Sequence, residues 1–376
     1  MGKPTTLLLR SVLATIHYTG AGRAMAPVLR GNGAIFMLHH VSPEPVPAFA
    51  PNRNLTVTPA YLETVIKRVR AAGFEIVGMD EACRRMREPD PGRAPFAAFT
   101  FDDGYRDNRD HALPVLARHG APCTVYVCPD FADGIGDLWW LTLENVVRQA
   151  DSIEVPATLG GKAGETLSAR TSDEKYRAFD RLYWPIRAGD ERVGRQIVQT
   201  LAMTHGVDPL EPCRRLVMDW GELHDFAQHP LVTIGAHTMS HFALGKLADD
   251  EARWQMAESI ARIRSKLGLE CRHICYPYGD KASAGPREFE MARALGVASA
   301  VTTRKGMIKA HHSTSMTGLP RVSLNGDFQG VCYLDALLSG LPFACYDIAR
   351  PLATAARRLM RGQRSQVATA GVVAKH

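Results

Sequence analysis

The chain has no stretch of eighteen consecutive apolar residues, no Cys-x-x-Cys pair, no internal repeat and no long low-complexity run. A helix needs about twenty apolar residues to cross a bilayer, so the first absence argues against a transmembrane helix. The second argues against a structural zinc ribbon. Eight cysteines in 376 residues are too dilute for a disulfide scaffold. Several lie in apolar runs (CTVYVC, HICYPY), where a reduced thiol packs as a small hydrophobe. Reduced thiols point to the cytoplasm. The composition, 45% hydrophobic and 22% charged, excludes disorder as the main state. The length suits one large domain with insertions, or two domains.

Acid is missing from one place in particular. Residues 1–33 carry Lys3, Arg10, Arg23 and Arg30 and no Asp or Glu, and residues 346–376 carry six basic residues against Asp347. The body between them holds 35 basic and 38 acidic residues, so the overall +6 belongs to the ends. A slightly acidic body without a nucleic-acid motif argues against a phosphate-tracking groove. At the N-terminus, Arg10 and His17 interrupt what would be the apolar core of a signal peptide. Leu9, Val12, Leu13 and Ile16 instead fall on one face at helical spacing and predict an amphipathic surface helix. From Pro351 onward, Leu352, Ala356 and Leu359 oppose Arg357, Arg358, Arg361 and Arg364. That pattern predicts a basic amphipathic helix suited to an anionic membrane surface, or else a solvated tail.

The body alternates apolar runs with helix-period segments. Strands are expected at 34–38, 74–77, 96–101, 123–127, 231–235, 274–276, 297–302 and 321–324. Helices are expected at 58–72, 108–118, 251–267 and 286–295. Repeated strand–helix–strand units imply a parallel α/β sheet with crossover helices, and at this length a barrel. Between 131 and 229 the strand series stops, and that segment reads as a helical insertion. The expected organisation is an N-terminal basic segment (1–33), a barrel (34–345) and a basic tail (346–376).

Three strand ends collect the ionisable residues of a candidate site, and in a parallel barrel all such ends meet on one face. The first is Thr100-Phe101-Asp102-Asp103-Gly104. Adjacent carboxylates are costly unless a cation or proton separates their charges. The second is His237-Thr238-Met239-Ser240-His241, whose two imidazoles face one way if the chain turns helical there. The third is Tyr276-Pro277-Tyr278-Gly279, a rigid turn whose rings either wall a sugar-sized groove or belong to the core.

Together these motifs, in this order, resemble the polysaccharide deacetylases, carbohydrate esterase family four, also called the nodulation-type chitooligosaccharide deacetylase homology domain. Leu295–Arg304 (LGVASAVTTR) resembles a late strand of that domain. The resemblance covers roughly 34–345 and implies a distorted (β/α)7 barrel and metal-dependent N-deacetylation of an N-acetylhexosamine-containing glycan or glycolipid. It implies Asp103, His237 and His241 as ligands of a divalent metal, zinc first, and Asp102 as general base. An oxyanion would meet a backbone N–H near Tyr278, with Tyr278 and Pro277 at the substrate.

Two departures from the family pattern stand out. The late Leu-x-His that usually supplies the general acid is absent from Leu319–Leu324. The segment Met37-Leu38-His39-His40-Val41 instead resembles the N-terminal segment of the permuted branch, which includes deacetylases of poly-N-acetylglucosamine. That places the acid at His39, with His40 beside it. Cys275 stands where many members carry an arginine that orients the base. Arg321 is a candidate for that role and also an expected substrate contact. The alternatives are a non-catalytic carbohydrate-binding relative, or a hydrolase of another C–N amide on the same barrel.

Overall fold

A strand buried on both faces must be apolar throughout rather than alternating. Phe96–Phe101 (β3), sequence FAAFTF, is buried at every position and apolar at all but Thr100, whose hydroxyl donates to the Phe36 carbonyl. The computed structural model describes residues 3–90 and 92–349. The parallel strands are Gly33–Leu38 (β1), Glu75–Ile76 (β2), β3, Cys123–Val127 (β4), Val232–Ala236 (β5), His273–Cys275 (β6), Ser299–Lys305 (β7) and Leu319–Ser323 (β8). The order β1-β8-β7-β6-β5-β4-β3 closes on itself through β3–β1 pairing, giving a seven-stranded barrel. The short β2 lies outside the closure. It pairs with Phe96 and Ala97 of β3, whereas β4 pairs with Phe99 to Phe101.

The sheet register puts like against like. Phe36 and Phe99 are paired partners whose rings stack at 5.2 Å, both fully buried. Each such side chain contributes roughly 1.5–3 kcal/mol by leaving water. The helix Pro59–Ala71 starts on Thr58, whose hydroxyl accepts from the Tyr61 N–H. The segment expected as one helix at 108–118 is a π-turn, Asn108–Ala112, followed by Leu113–Arg118. Pro114 has no N–H to donate to the preceding turn, so the turn widens there.

The insertion is mainly helical, with Trp139–Gln149, Ser172–Ala188, Glu191–Thr204, Glu211–Leu216 and Trp220–Ala227. It also holds an antiparallel hairpin, Ser152–Glu154 against Thr166–Ser168, that the sequence reading lacks. Three-residue strands are too short to show a period. The insertion builds its own apolar core from Leu143, Val147, Phe179, Leu182 and Val198, which continues through Trp139 and Trp140 to Tyr105 and Phe131. This core therefore reaches the loops that follow β3 and β4.

The described residues divide into two compact units, Asn32–Val331 and a second comprising 3–31 with 332–349. The barrel was expected over 34–345, whereas residues 332–345 fall in the second unit. In the second, the amphipathic helix is Lys3–Tyr18, and another follows at Ala21–Leu29. Leu13 is buried, but Val12, expected on the same apolar face, is 45% exposed. Val12 is one position off the 3.6-residue row that Leu13 centres. Among the described residues no single helix is long and apolar enough to cross a membrane. The bent pair Val331–Leu338 and Leu341–Ala349 has the length and composition only when its two helices are taken together, across a 69° bend. The basic helix expected from 351 lies outside the described residues.

Candidate active site

The C-terminal ends of β1, β3, β5, β6 and β8 bring the sequence-selected residues to one face. Asp102 and Asp103 follow β3 directly, and both are 2% exposed. The Asp103 Oδ1 lies 3.5 Å from His237 Nε2 and 3.4 Å from His241 Nε2. That oxygen has no hydrogen-bond partner. A buried carboxylate oxygen left unpaired is costly, and a cation among the three groups would remove the cost.

The imidazoles are prepared for such a role. His237 Nδ1–H donates to the Cys275 carbonyl at 2.7 Å, leaving the Nε2 lone pair facing Asp103. Burial drives His241 well below its ordinary value, with His237 and Arg195 adding to the effect. It is therefore a neutral imidazole, the form that ligates metals. A second group, Asp102, His237 and Cys275, is also close enough to share an ion. It is the poorer donor set, because Asp102 is already taken up by Arg321 and burial pushes the Cys275 thiol well up.

The two histidines do not converge through a helical turn as expected. Residues 237–243 form an irregular loop in which Thr238 (φ 65°) and His241 (φ 56°) are left-handed. Among the described residues the non-glycine positions with positive φ are Asp103, Thr238, His241 and Tyr278. All four are in the site motifs. Each costs on the order of 1–3 kcal/mol and persists only where its surroundings over-determine it. Beside Tyr278 (φ 59°), Gly279 (φ 55°) permits the turn, since a Cβ there would lie 2.5 Å from the Thr303 nitrogen.

Arg321 is 1% exposed and does not reach outward to substrate. Its Nη1 and Nη2 each donate to Asp102 at 2.7 Å, and its Nε donates to the Thr302 carbonyl. The remaining contacts are Thr100 Oγ1 and Cys275 Sγ. Arg321 is therefore not the substrate contact expected from sequence, because every donor nitrogen is used within the barrel. Burial pushes the Asp102 carboxyl up, but the Arg321 guanidinium and its hydrogen bonds outweigh this and hold it well below the usual carboxylate range.

His39 and His40 separate by face. His39 Nε2 is 3.8 Å from Asp102 Oδ2, and burial lowers its pKa against the opposing pull of Asp102 and Asp103. His40 turns away, bonded through Nδ1 to Asp107 at 2.7 Å and stacked on Tyr105 at 3.6 Å. Tyr276 is wholly buried and its hydroxyl donates to the Thr317 carbonyl, so it is core, not groove wall. Pro277 is buried beside it and Tyr278 is half-buried.

Several residues at the site were not singled out from sequence. Trp140 packs 4.9 Å from the His241 ring, and its Nε1 and the fully buried Tyr105 hydroxyl are both unpaired. Tyr278 Oη donates to Glu191 Oε1 and accepts from Trp139 Nε1–H. Arg187 lies 3.7 Å over the Tyr278 ring. Of these, Trp139, Trp140, Arg187 and Glu191 come from the insertion.

The polysaccharide deacetylase family model matches residues 90–152 and 193–298, leaving out part of the insertion. None of the curated proteins matches the chain. Among solved structures, a Streptococcus pyogenes deacetylase, PplD, in complex with acetate is 16% identical. Its TM-score is 0.51, over 78% of this chain and 92% of that one. A de-N-acetylase from Aggregatibacter actinomycetemcomitans is 13% identical, with a TM-score of 0.50 over 81% of this chain and 98% of that one. At these identities the structures establish a shared fold. The family match on the segment that carries TFDDG and HTMSH identifies a polysaccharide deacetylase domain in this chain, a hydrolase of carbon–nitrogen bonds other than peptide bonds.

Proposed function

We propose that the chain is a metal-dependent N-deacetylase of an N-acetylhexosamine-containing glycan or glycolipid, releasing acetate. The observation that carries this reading is the unpaired, buried Asp103 Oδ1, set within 3.5 Å of two imidazole nitrogens. Asp103, His237 and His241 would hold a divalent metal, zinc being the ion best suited to a mixed imidazole and carboxylate set. Bound there, the metal would supply Lewis-acid polarisation of an amide carbonyl and acidify water.

The chain's own residues do the rest. Asp102 takes a proton from the attacking water. Because Arg321 depresses its basicity, Asp102 is a poor place for that proton to stay. His39, 3.8 Å away and held towards its neutral form by burial, receives the proton and delivers it to the departing amine. An amide nitrogen leaves poorly without that proton. The Tyr278 loop offers a backbone N–H to the developing oxyanion.

Two further readings concern location. The exposed apolar residues Leu7, Leu8, Val12, Tyr18, Met25 and Val28 lie in a segment without an acidic residue, which suits peripheral contact with an anionic lipid surface. Six of the eight free cysteines are buried, as a reduced, cytoplasmic chain would have them. Acetate release from N-acetylglucosamine oligomers, with chelator and with Asp103→Asn, tests the activity. Release from the chelated protein at the untreated rate would refute metal dependence. Absence of release from every N-acetylated glycan would leave a carbohydrate-binding relative or another amide hydrolase. Vesicle sedimentation tests the lipid contact, which fails if anionic and zwitterionic vesicles bring down the chain equally.

A further inference from the structure

The insertion carries one buried ion pair whose partners reach out of it to the metal-site loops. Glu191 and Arg195 stand one turn apart on Glu191–Thr204, 5% and 7% exposed, with Arg195 Nη2 2.8 Å from Glu191 Oε1. The helix start is fixed by Asp190, whose carboxylate accepts from the Arg192 and Val193 N–H groups. A buried pair is weak evidence for stability, because desolvation offsets the attraction. Its contacts therefore deserve a reason beyond stability.

We propose that the Glu191–Arg195 pair is a positioning device for the active site, holding His241 and Tyr278 in their left-handed conformations. Arg195 donates to the Ser240 carbonyl at 3.0 Å and the His241 carbonyl at 2.8 Å, and its guanidinium lies 3.9 Å over the Phe242 ring. Glu191 Oε2 accepts from the Ala243 N–H at 2.9 Å, just beyond that carbonyl pair. The other oxygen, Oε1, accepts from the Tyr278 hydroxyl at 3.0 Å. One pair thus grips the backbone on both sides of a ligand imidazole and, through one carboxylate, the loop after β6. A second tie runs the same way: Lys246 Nζ bonds the Arg187 and Gly189 carbonyls just before the pair.

The inference rests on the metal reading above and gives the insertion a task within it. Outer partners of ligand residues typically change metal affinity 10–100-fold. Removing Arg195 frees two carbonyls and leaves Glu191 uncompensated, so the His241 backbone loses what holds it at positive φ. Glu191→Gln keeps shape but removes the charge that orders Arg195.

The experiment loads the full chain with cobalt(II), whose visible absorption reports ligand geometry, and measures affinity by chelator competition. The unaltered chain is expected to bind one cobalt with a defined spectrum. Arg195→Met is expected to bind about 10–100-fold more weakly with a shifted spectrum. Glu191→Gln is expected to shift the spectrum in the same sense, and it carries the test if Arg195→Met does not fold. Arg192→Met, an exposed neighbour paired with Glu251, is the control and is expected to leave both readouts unchanged. Folded variants with unaltered affinity and spectrum would overturn the proposal. An unaltered chain that binds no cobalt would instead overturn the metal reading, and the inference with it.

Discussion

Replacing Arg321 with methionine separates two consequences that the structure ties to one guanidinium. Arg321 is buried and makes a bidentate contact with Asp102, both bonds at 2.7 Å. Met fills much of the volume but leaves the carboxylate without a counter-charge. Removing one partner of a buried pair costs about 3–5 kcal/mol when the other stays ionised. At 1.36 kcal/mol per unit, that corresponds to roughly 2–4 units of acidity, so Asp102 escapes by taking a proton instead. With Arg321 present, its pull overcomes burial and holds Asp102 low. Without it, burial acts unopposed and carries Asp102 above its ordinary value. The base is then lost as pH falls through a much higher value. The acid limb of kcat/KM for acetate release is expected to move up by about 2 units or more, with kcat little changed above it. Asp102→Asn added to Arg321→Met is expected to recover stability but not activity. An acid limb unmoved in a folded, active Arg321→Met chain would refute the claim that Arg321 sets the base.

Other outcomes follow from the same geometry. His39→Gln is expected to lower kcat by about 10²–10⁴, whereas His40→Gln, whose ring faces Asp107 and Tyr105, should lower it far less. Equal losses in the two variants would contradict the assignment of the acid. Glu222 is held at about 2 by Arg106 and, secondarily, Arg109. Its depressed value contributes stability that is complete above pH 4.5 and lost as pH falls towards 2. Partial exposure limits the gain to about 1 kcal/mol. Acid unfolding of Glu222→Gln should therefore differ from the parent above pH 4.5 and converge with it near pH 2. Burial pushes the Cys123 and Cys271 thiols up to about 12. At pH 8 a thiol reagent should label exposed Cys345 quickly and leave those two unlabelled until the chain unfolds.

What could be read from sequence depended on whether the signal was local. The runs FAAFTF and CTVYV are strands at the residues expected, because burial on both faces leaves a run that is apolar but for one threonine each. Asp102 and the His39–His40 pair stand at strand ends, and the choice of His39 rests on the resemblance to the permuted branch rather than on strand geometry. The geometry of HTMSH was not readable, because its convergence depends on positive φ at Thr238 and His241 rather than on a helical period. Arg321 could be suspected from the missing arginine near Pro277, but its saturation inside the barrel appears only once β8 closes beside β1. Glu191 and Arg195 were invisible for a different reason. A charged pair at i and i+4 ordinarily marks a solvated helix face, and only the folded insertion turns that face against residues 240–243.

In the proposed reaction a single divalent ion held by Asp103, His237 and His241 supports amide hydrolysis of an N-acetylated sugar. The most direct measurement is acetate released from N-acetylglucosamine oligomers as zinc is returned stepwise to metal-free protein. The rate is expected to rise in proportion to bound zinc and to level at one ion per chain. Full release by the metal-free chain, or no release from any of the oligomers at one bound ion per chain, would contradict the claim.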